Sequence, residues 1–396
     1  MSDDQDPDQD HDDTTSVEAG STTSGHIVNS DERFVVHDGG TASSTTILSG
    51  GLEIVRRDGT DSGAQISGMQ RDDGLANGAT VFAGGIQVVD HHGMASGTIV
   101  SNGGTLELLE HGSAVAFQIE SGGTLEVGRH ASLSGATVSN GVTLLVSRGE
   151  VTSTTVLSGG TLELLGHGRQ TDTTFNSGAT LELGDRHEKL SGFTAADGVT
   201  LEVLSGGTLI DDTISTGASL VINGRVDVRG TLTDSGTTSI GDGAILQTRN
   251  DATAILGGSI VNSGTLFART HRSEIDIVSG ATVSGAGTAE IGDGIVNIQA
   301  AGDNQEVVFR KDGHGGLELA DTAANPTAFG GTVSGFGTGH KQFIELTRVT
   351  SNSSVSLDYA SNGSSSGVLT VSSGGSVVAS INMSGSFTTS STSERN

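Results

Sequence analysis

The sequence contains no cysteine and no tryptophan, and its 396 residues include one tyrosine, two prolines and only 3% aromatic residues. The lack of cysteine excludes a thiol nucleophile, but it is compatible with secreted, envelope and cytoplasmic proteins alike. So few aromatic side chains cannot fill a large three-dimensional core. The 62 glycines, set among small aliphatic and β-branched residues, favour a thin core that is stacked in one dimension.

Basic residues are also scarce, since 19 of them stand against 47 acidic residues and give a formal net charge of −28. Binding of nucleic acid requires a basic face that replaces released counterions, so no nucleic-acid partner is predicted. Seven of the first thirteen residues are aspartate. Residues 1–30 are therefore predicted to form an acidic disordered tail, and the Ser/Thr-rich residues 389–396 a second disordered tail.

Signals for the membrane are missing as well. The N-terminus has no basic segment followed by an apolar one, so no secretory signal peptide is predicted. No apolar run approaches the roughly 20 residues that span a bilayer as a helix, so no membrane span is predicted within this chain. If the chain is exported, we expect its signal to lie elsewhere, to be non-standard or to be absent from this sequence.

What the sequence does contain is one short motif that recurs. It reads Ser101-Asn102-Gly103-Gly104-Thr105-Leu106-Glu107-Leu108, with close copies at Ser121 and Ser158 and looser copies at Ser49 and Asp197. Equivalent glycines recur about every nineteen residues, and they are Gly84, Gly103, Gly122, Gly141, Gly159, Gly178, Gly198 and Gly217. Three residues before each of the first seven stands an apolar or small residue, namely Val81, Val100, Ile119, Val138, Val156, Phe175 and Ala195.

Each repeat also carries two apolar residues at positions i and i+2, such as Leu106 and Leu108, with Glu107 between them. In a β-strand this spacing puts the apolar pair on one face and the glutamate on the other. A unit of about nineteen residues cannot bury such a face alone, but stacked copies bury it together. The pattern predicts an all-β fold in which residues 31–300 form a parallel β-helix.

The pattern of the sequence changes near residue 300, where alternating apolar and polar runs replace the regular glycine repeat. Four alternating runs follow, and they are Phe343-Ile344-Glu345-Leu346, Val355-Ser356-Leu357, Val368-Leu369-Thr370-Val371 and Val377-Val378-Ala379-Ser380-Ile381. Linked by Gly/Ser turns, the segment from Phe329 to Phe387 is predicted to be a β-meander. Because the last coil of a solenoid needs a cover for its exposed edge, residues 301–388 are predicted to be a C-terminal β-rich capping module.

The Ser-Gly-Gly-Thr-Leu-Glu-Leu/Val motif and its nineteen-residue spacing resemble the passenger repeats of AIDA-type autotransporter adhesins. The resemblance is clear over roughly residues 40–230 and looser over 230–300. It implies a right-handed β-helix outside the cell, active in adhesion or self-association, with Ser/Thr-rich loops that can be glycosylated. Such proteins end in a translocator domain, and no segment after residue 300 is long enough to supply one. The chain is then expected to be a passenger-like fragment, a diverged reading frame or a protein exported by another route.

Two columns of polar residues are candidate sites. His111, His130 and His167 share one phase of the repeat, with His92 near it, so that stacked coils would align them as a metal-binding or pH-responsive edge. An outward acidic column, which could bind Ca²⁺, consists of Glu107, Glu126, Glu163, Glu182 and Glu202. Duplication of a polar turn residue and solvation of surface carboxylates explain both columns more simply, so no metal site is predicted.

Catalytic motifs are fragmentary. Gly166-His167-Gly168, Gly313-His314-Gly315 and Asp211-Asp212 are similar to pieces of the active site of β-helical pectin hydrolases. Such enzymes need two or three carboxylates clustered across neighbouring coils, and their remaining motifs are missing here. The repeat phase accounts for His167 without catalysis. No catalytic residue, cofactor-binding residue or cofactor is predicted.

These patterns together predict a non-catalytic adhesin that lies on the cell surface or is secreted. We expect it to bind a second copy of itself, a host or abiotic surface, or glycans. The contact surface would be its ladders of Thr and Ser, in which many weak contacts over a large area add up. The two alternatives are a β-helical polysaccharide lyase or hydrolase and a structural spacer that displays another domain.

Overall fold

The computed structural model describes residues 14–184, 188–300, 302–337, 341–350, 354–363, 365–385 and 387. The chain divides into two compact units, Met1–Leu181 and Glu182–Asn396. Every regular element among the described residues is a β-strand, and in each unit most strands are two to five residues long and pair in parallel with the equivalent strand of the next coil. The predicted all-β parallel solenoid, with repeats of about nineteen residues, is confirmed.

Each coil of the first unit has three strands, which lie in three different sheets. We call the sheet of longest strands the long-strand face, and it comprises Thr14–Val17, Arg33–Val36, Leu52–Val55, Met69–Asp72, Ile86–Val89, Thr105–Leu108, Thr124–Val127, Thr143–Ser147 and Thr161–Leu165, with the unit boundary inside Thr180–Leu183.

The other two strands of each coil are shorter. The three-residue strands form the middle face, which comprises Thr22–Ser24, Thr41–Ser43, Thr60–Ser62, Leu75–Asn77, Met94–Ser96 and Ser113–Val115, then Ser132–Ser134, Glu150–Thr152 and Arg169–Thr171. The two-residue strands are Ile27–Val28, Thr46–Ile47, Gln65–Ile66, Thr80–Val81, Ile99–Val100 and Gln118–Ile119, then Thr137–Val138, Thr155–Val156 and Thr174–Phe175.

The core of this unit is the ladder of aliphatic side chains that the repeat predicts. Leu106 pairs with Leu125, Leu125 with Leu144, and Leu144 with Leu162, and all four are at most 3% exposed. Burying one such side chain contributes about 1.5–3 kcal/mol, and each coil adds several. A single coil cannot gain this energy, because each rung is covered by the equivalent rungs of the neighbouring coils.

Glycine occupies the corner before most of the long strands. The marker glycines from Gly84 to Gly217 all have φ between 72° and 85°, a left-handed backbone that side chains with a Cβ rarely adopt. The glycine that follows Gly103 has a different reason. A Cβ on Gly104 would lie 2.6 Å from the backbone oxygen of Val81 in the preceding coil. The first glycine is needed for its left-handed backbone, and the second because a side chain would collide with the preceding coil.

The second unit continues the parallel pairing in three sheets. One comprises Lys189–Ser191, Thr208–Ile210, Arg225–Arg229, Ile245–Thr248, Thr265–Ala268, Thr288–Ile291, Glu306–Phe309 and Thr332–Ser334. Another comprises Thr194–Ala195, Thr213–Ile214, Thr231–Asp234, Thr253–Leu256, Glu274–Ile277, Ile295–Ile298, Gly316–Leu319 and Phe343–Leu346, and the third Thr200–Val203, Ser219–Ile222, Thr237–Ile240, Ser259–Asn262 and Thr282–Ser284. Its core includes Val226, Leu246, Leu266, Ala289, Val307 and Val333, which are paired in register and at most 1% exposed.

Three longer strands complete the second unit. Val355–Ser361, Ser366–Ser373 and Ser376–Ser384 pair antiparallel, and the last of them pairs in parallel with Thr332–Ser334. The predicted meander is therefore right for these strands and wrong for Phe343–Leu346, which belongs to the parallel stack and pairs with Gly316–Leu319. Its sequence has the same alternation as a meander strand, so periodicity alone could not separate the two. The boundary predicted at residue 301 does not mark the end of parallel pairing.

The start of the solenoid also differs from the prediction. Thr14–Val17 pairs in parallel with Arg33–Val36, and Val17 is 2% exposed, so disorder was wrongly predicted for residues 14–30. These residues complete a coil although they lack the Gly-Gly-Thr-Leu motif. Residues 1–13 and 388–396 lie outside the described part of the chain, and the disorder predicted for residues 1–13 and 389–396 stays a prediction. No helix among the described residues has the length and apolar character needed to cross a membrane.

Candidate binding surface

One line of side chains runs along the outer side of the long-strand face in the first unit. It is fixed by the hydrogen-bond register, which pairs Leu52 with Met69, Met69 with Ile86, and Ile86 with Thr105. The register continues through Thr124, Thr143 and Thr161. We call this line the outer column, and it comprises Leu52, Met69, Ile86, Thr105, Thr124, Thr143 and Thr161.

The outer column carries no charge over seven coils. Its first three members are apolar, and Met69 is 40% exposed while the others are half-buried. Its last four members are threonines, whose hydroxyls can donate and accept hydrogen bonds. Because neighbouring parallel strands are about 4.8 Å apart, the rungs are evenly spaced. The result is a flat, uncharged strip on a strongly acidic chain.

The predicted acidic column lies beside it. Glu107 pairs with Glu126, then Leu145 interrupts, and Glu163 follows, all on the outward phase. Burial is the main reason that the pKa of each of these three carboxyls is raised, and the charge of Glu126 raises the pKa of Glu107 and Glu163 further. Glu182 and Glu202 also occupy the outward phase of their strands and are half-buried. The outward orientation was predicted correctly.

The histidines stack as the repeat phase predicts. The ring centres of His92 and His111 are 5.1 Å apart and those of His111 and His130 are 6.0 Å apart, with nearly parallel planes. Stacked rings present their faces to each other, whereas the lone pairs that bind metal lie in the ring planes, so the stack does not gather nitrogens around one ion. Each histidine has a left-handed φ, which is 71° at His111 and 76° at His167. The turn conformation explains the recurrence of the polar residue.

A charged cluster at the end of one long strand was not predicted. Single ligand atoms of Asp73, Asp90 and His91 lie within 4.8 Å of one another, close enough for a metal ion. Arg71 already fills this position, because its Nη2 donates to Asp90 Oδ2 at 2.9 Å and lies 3.1 Å from His91 Nδ1. The guanidinium supplies the positive charge that a cation would bring, so the cluster is an ion-pair network.

The inside of the same coils holds a polar cluster that sequence reasoning missed. Glu53, Asp61, Gln70, Asp72 and Gln87 are at most 1% exposed. In the sequence, Leu52-Glu53-Ile54 looks like a copy of Leu106-Glu107-Leu108 with its glutamate outward. The register instead pairs Glu53 with Gln70, Gln70 with Gln87 and Gln87 with Leu106, so Glu53 points inward.

The cause of this error is one missing threonine in the motif. Leu52 follows Gly51 directly, whereas Thr105 stands between Gly104 and Leu106. Glu53 therefore takes the inward position of Leu106 and not the outward position of Glu107. A slip of one residue exchanges the two faces of a strand in this way. Gln70 and Gln87, which share the inward phase, were the signal that could have revealed it.

The fragments of a hydrolase site have structural roles. Asp212 is 1% exposed and accepts hydrogen bonds from the backbone N–H groups of Phe193 and Ile210, both at 2.8 Å. Burial raises the pKa of Asp212 to about 6, with a smaller contribution from Asp211. Asp211 accepts from the backbone N–H of Thr231 at 2.9 Å. His314 lies on a separate turn, where its Nδ1 is 3.0 Å from Asp293 Oδ1.

A comparison with known protein families finds a match within the repeat region. Residues 91–142 match the family model of the AIDA adhesin of the bacterial autotransporter system, described as a probable stalk. The predicted resemblance to AIDA-type passengers is thereby confirmed over coils that include Thr105 and Thr124. An adhesin passenger of this kind lies at the cell surface or outside the cell, the location predicted for this chain.

A solved structure is also similar. It is the crystal structure of the TibC-catalyzed hyper-glycosylated TibA55-350 fragment, which is 24% identical, with a TM-score of 0.32, over 85% of this chain and 93% of that one. The glycosylation belongs to that fragment. No curated protein matches the chain significantly.

Proposed function

We propose that this protein is a non-catalytic adhesin that acts at the cell surface or outside the cell, by self-association through the outer column. The observation that carries the proposal is the unbroken register of seven uncharged outward side chains from Leu52 to Thr161. The match of residues 91–142 to an adhesin family supports an adhesin, and these residues include two of the threonine rungs.

The outer column fits a second copy of the chain better than most of the remaining surface does. With a net charge of −28, two copies repel each other over most of their area. The strip from Leu52 to Ile86 offers apolar area without charge, and the threonine rungs offer hydrogen bonds on both partners. Each rung adds little, but rungs that repeat with one spacing can all be satisfied by one alignment of the two chains. A host or abiotic surface and a glycan are the other partners that the test must separate.

The proposal is tested with cells that display the full chain. Met69→Glu combined with Ile86→Glu puts two carboxylates into the apolar part of the strip, where they add to the repulsion between two acidic copies. We expect cell aggregation to fall at least tenfold, with circular dichroism unchanged. Met94→Glu is the matched control, because Met94 is 39% exposed on the middle face, and it should leave aggregation intact.

The same cells also show whether the partner is a second copy of the chain or another surface. Aggregation of the displaying cells with one another supports self-association. Attachment only to glass or to host cells, with no mutual aggregation, would assign the surface to another partner. Unchanged clumping and attachment by the double variant would contradict a role for the outer column.

The polysaccharide-active enzyme is the alternative that the fragments of a hydrolase site suggested. The backbone hydrogen bonds of Asp211 and Asp212 support a structural role for both carboxylates and so favour the non-catalytic proposal. The enzyme alternative predicts release of reducing ends from acidic polysaccharides by the purified chain and loss of that release in His167→Ala. The spacer alternative predicts that cells displaying the chain gain neither aggregation nor attachment.

A further inference from the structure

A cluster of positive charge interrupts the acidic surface of the second unit. Five of the 19 basic residues of the chain lie together on the sheet that contains Arg225–Arg229, Ile245–Thr248 and Thr265–Ala268. They line or border one groove of about 560 Å³, and they are Arg225, Arg249, Arg269, Arg310 and Lys311. In a chain of net charge −28, such a concentration of basic side chains marks this groove as a candidate site for an anionic ligand.

Gly292 lines the groove at a point where two coils approach each other closely. Successive coils place Arg249, Arg269, Gly292 and Arg310 at equivalent positions just after their strands, as their backbone hydrogen bonds to the preceding coils show. Gly292 therefore stands between two arginines of the neighbouring coils, and a Cβ on it would lie only 2.5 Å from the backbone oxygen of Arg269. The ring of Phe267 also lines the groove and packs against Gly292, where a Cβ would lie 3.3 Å from one of its ring carbons.

The arginines are held at the aromatic ring. The guanidinium carbon of Arg310 lies 5.0 Å from the ring centre of Phe267, and that of Arg269 lies 5.9 Å from it, both in the range of cation–π contacts. Arg310 also donates from Nε to Glu290 at 2.8 Å. Two cations thus approach one aromatic ring from different coils.

The positive charge is neutralised only in part, because five basic residues stand against four carboxylates, those of Asp227, Glu290, Asp293 and Asp312. Asp227 lies near two arginines, with its carboxylate oxygens 3.9 Å from Arg225 Nε and 3.5 Å from Arg249 Nε. Arg269 pairs with no carboxylate among the described residues, and its Nη1 donates instead to the neutral Oε1 of Gln247 at 3.2 Å.

That same Gln247 oxygen also accepts from Arg225 at 2.8 Å, and the Arg249 Nε is buried without a hydrogen-bond partner. Burial, followed by the charges of Arg249 and Arg225, lowers the pKa of Arg269, and the charge of Asp227 offsets this only in part.

We propose that this groove binds a saccharide that carries carboxylate or sulfate groups. The planar fork of a guanidinium matches both anions with two parallel hydrogen bonds, and Arg269 has donors to spare. Phe267 is half-buried beside the two arginines and adds apolar surface that the C–H groups of a sugar ring can contact. A groove of about 560 Å³ is of the size that takes a small ligand, here a few sugar units.

A nucleic acid fits this site less well than a saccharide does. Its closely and evenly spaced phosphates would extend beyond the cluster onto acidic surface, where the net charge of −28 repels them. The inference goes beyond the adhesin proposed above, because it names a ligand for a different surface and does not require the outer column.

The test is direct binding of the purified full chain, measured by isothermal titration at low and at physiological salt. The probes are oligogalacturonate for carboxylates, dextran sulfate for sulfates, neutral dextran, and single-stranded DNA for phosphates. We expect binding of one or both anionic saccharides, weaker at higher salt, and none of dextran. Arg269→Gln and Arg310→Gln should each weaken binding at least tenfold, and Arg269→Lys should weaken it less than Arg269→Gln because it keeps the charge and loses the fork.

Arg272→Gln is the matched control, because Arg272 is an exposed arginine of the same unit that lies 3.9 Å from Asp251. It should bind as the wild type does. Absence of binding to both anionic saccharides, equal loss in Arg272→Gln, or tighter binding of DNA would overturn the proposal. Cell aggregation is scored on the same variants and should be unchanged, so that failure here and failure of the adhesin proposal give different results.

Discussion

The side-chain amide of Gln70 donates a hydrogen bond to the Glu53 carboxylate at 2.9 Å, inside a solenoid whose core is mostly aliphatic. The same amide nitrogen donates to Asp61 at 3.0 Å. Gln87 extends the chain of bonds, because its amide donates to Gln70 at 3.1 Å and to Asp72 at 2.9 Å. Buried acids are therefore held by uncharged donors, with no cation among the groups that bond to them.

Removal of the shared donor should destabilise the first unit. Gln70→Leu leaves Glu53 and Asp61 buried without their common hydrogen bond, so we expect a loss of about 2–5 kcal/mol in the free energy of unfolding. Urea unfolding followed by circular dichroism measures it. Gln65→Leu is the control, because the Gln65 amide is half-buried and lies 3.4 Å from the nearest carbonyl, and it should cost less than about 1 kcal/mol. Equal stability of the two variants would contradict the inward register.

The same acids predict how stability depends on pH. Burial raises the pKa of Asp61 to about 6 and raises the pKa of Glu53 and of Asp72 well above the usual values, with further contributions from neighbouring carboxylates. Each acid therefore binds its proton more tightly in the folded state than in the unfolded state. Their contribution to stability is complete below about pH 4 and is lost as the pH rises through 6, by about 1.4 kcal/mol per pH unit for each extra proton held.

Glu53→Gln combined with Asp61→Asn should flatten this dependence. We expect the melting temperature of the wild type to fall more steeply from pH 4 to pH 7 than that of the double variant. Glu110→Gln is the control, because hydrogen bonds from His130 and Arg129 lower the pKa of exposed Glu110, so its effect has the opposite sign. Parallel curves for the wild type and the double variant would show that these acids do not titrate as buried groups.

Two adjacent leucines of one strand test which of its faces lies in the core. Leu144 is fully buried and Leu145, next to it, is half-buried on the outward phase. Leu144→Ala should cost about 2–5 kcal/mol, because it leaves a cavity between Leu125 and Leu162, and Leu145→Ala should cost less than about 1 kcal/mol. Urea denaturation of the two variants measures the difference, and a larger loss for Leu145→Ala would reverse the assigned faces.

The regular coils were predictable and the irregular ones were not. Leu106 and Leu108 follow a marker glycine at fixed distance, so their inward direction could be read from the spacing alone. Glu53 follows a glycine pair that lacks the threonine of the motif, so the same letters are out of phase by one position.

The arginine groove was hidden because the spacing of its coils is irregular. The register aligns one column of residues beneath the groove, but the steps between its members along the chain are unequal, and they are Asp227, Gln247, Phe267, Glu290 and Val308. No constant period can align Arg269 with Arg310. Only the pairing of the strands brings these two side chains to one ring.

The histidine stack provides a test between turn chemistry and metal binding. Replacement of His92, His111 and His130 by Asn should leave the melting temperature within about 2 °C of the wild type, because Asn tolerates the left-handed backbone. His111→Val should lower the free energy of unfolding by about 1–2 kcal/mol, because a β-branched residue is strained at φ 71°. Calorimetry with and without Zn²⁺ checks both, and a Zn²⁺-dependent rise in the melting temperature of the wild type, absent in the triple Asn variant, would instead establish a metal ladder.

Adhesion by this chain is tested most directly by counting attached and aggregated cells that display the full chain, with external protease as the control for exposure. We expect protease to remove the chain from intact cells, and aggregation and attachment to disappear with it. A chain that is accessible to protease, and whose removal changes neither aggregation nor attachment, would contradict an adhesive function.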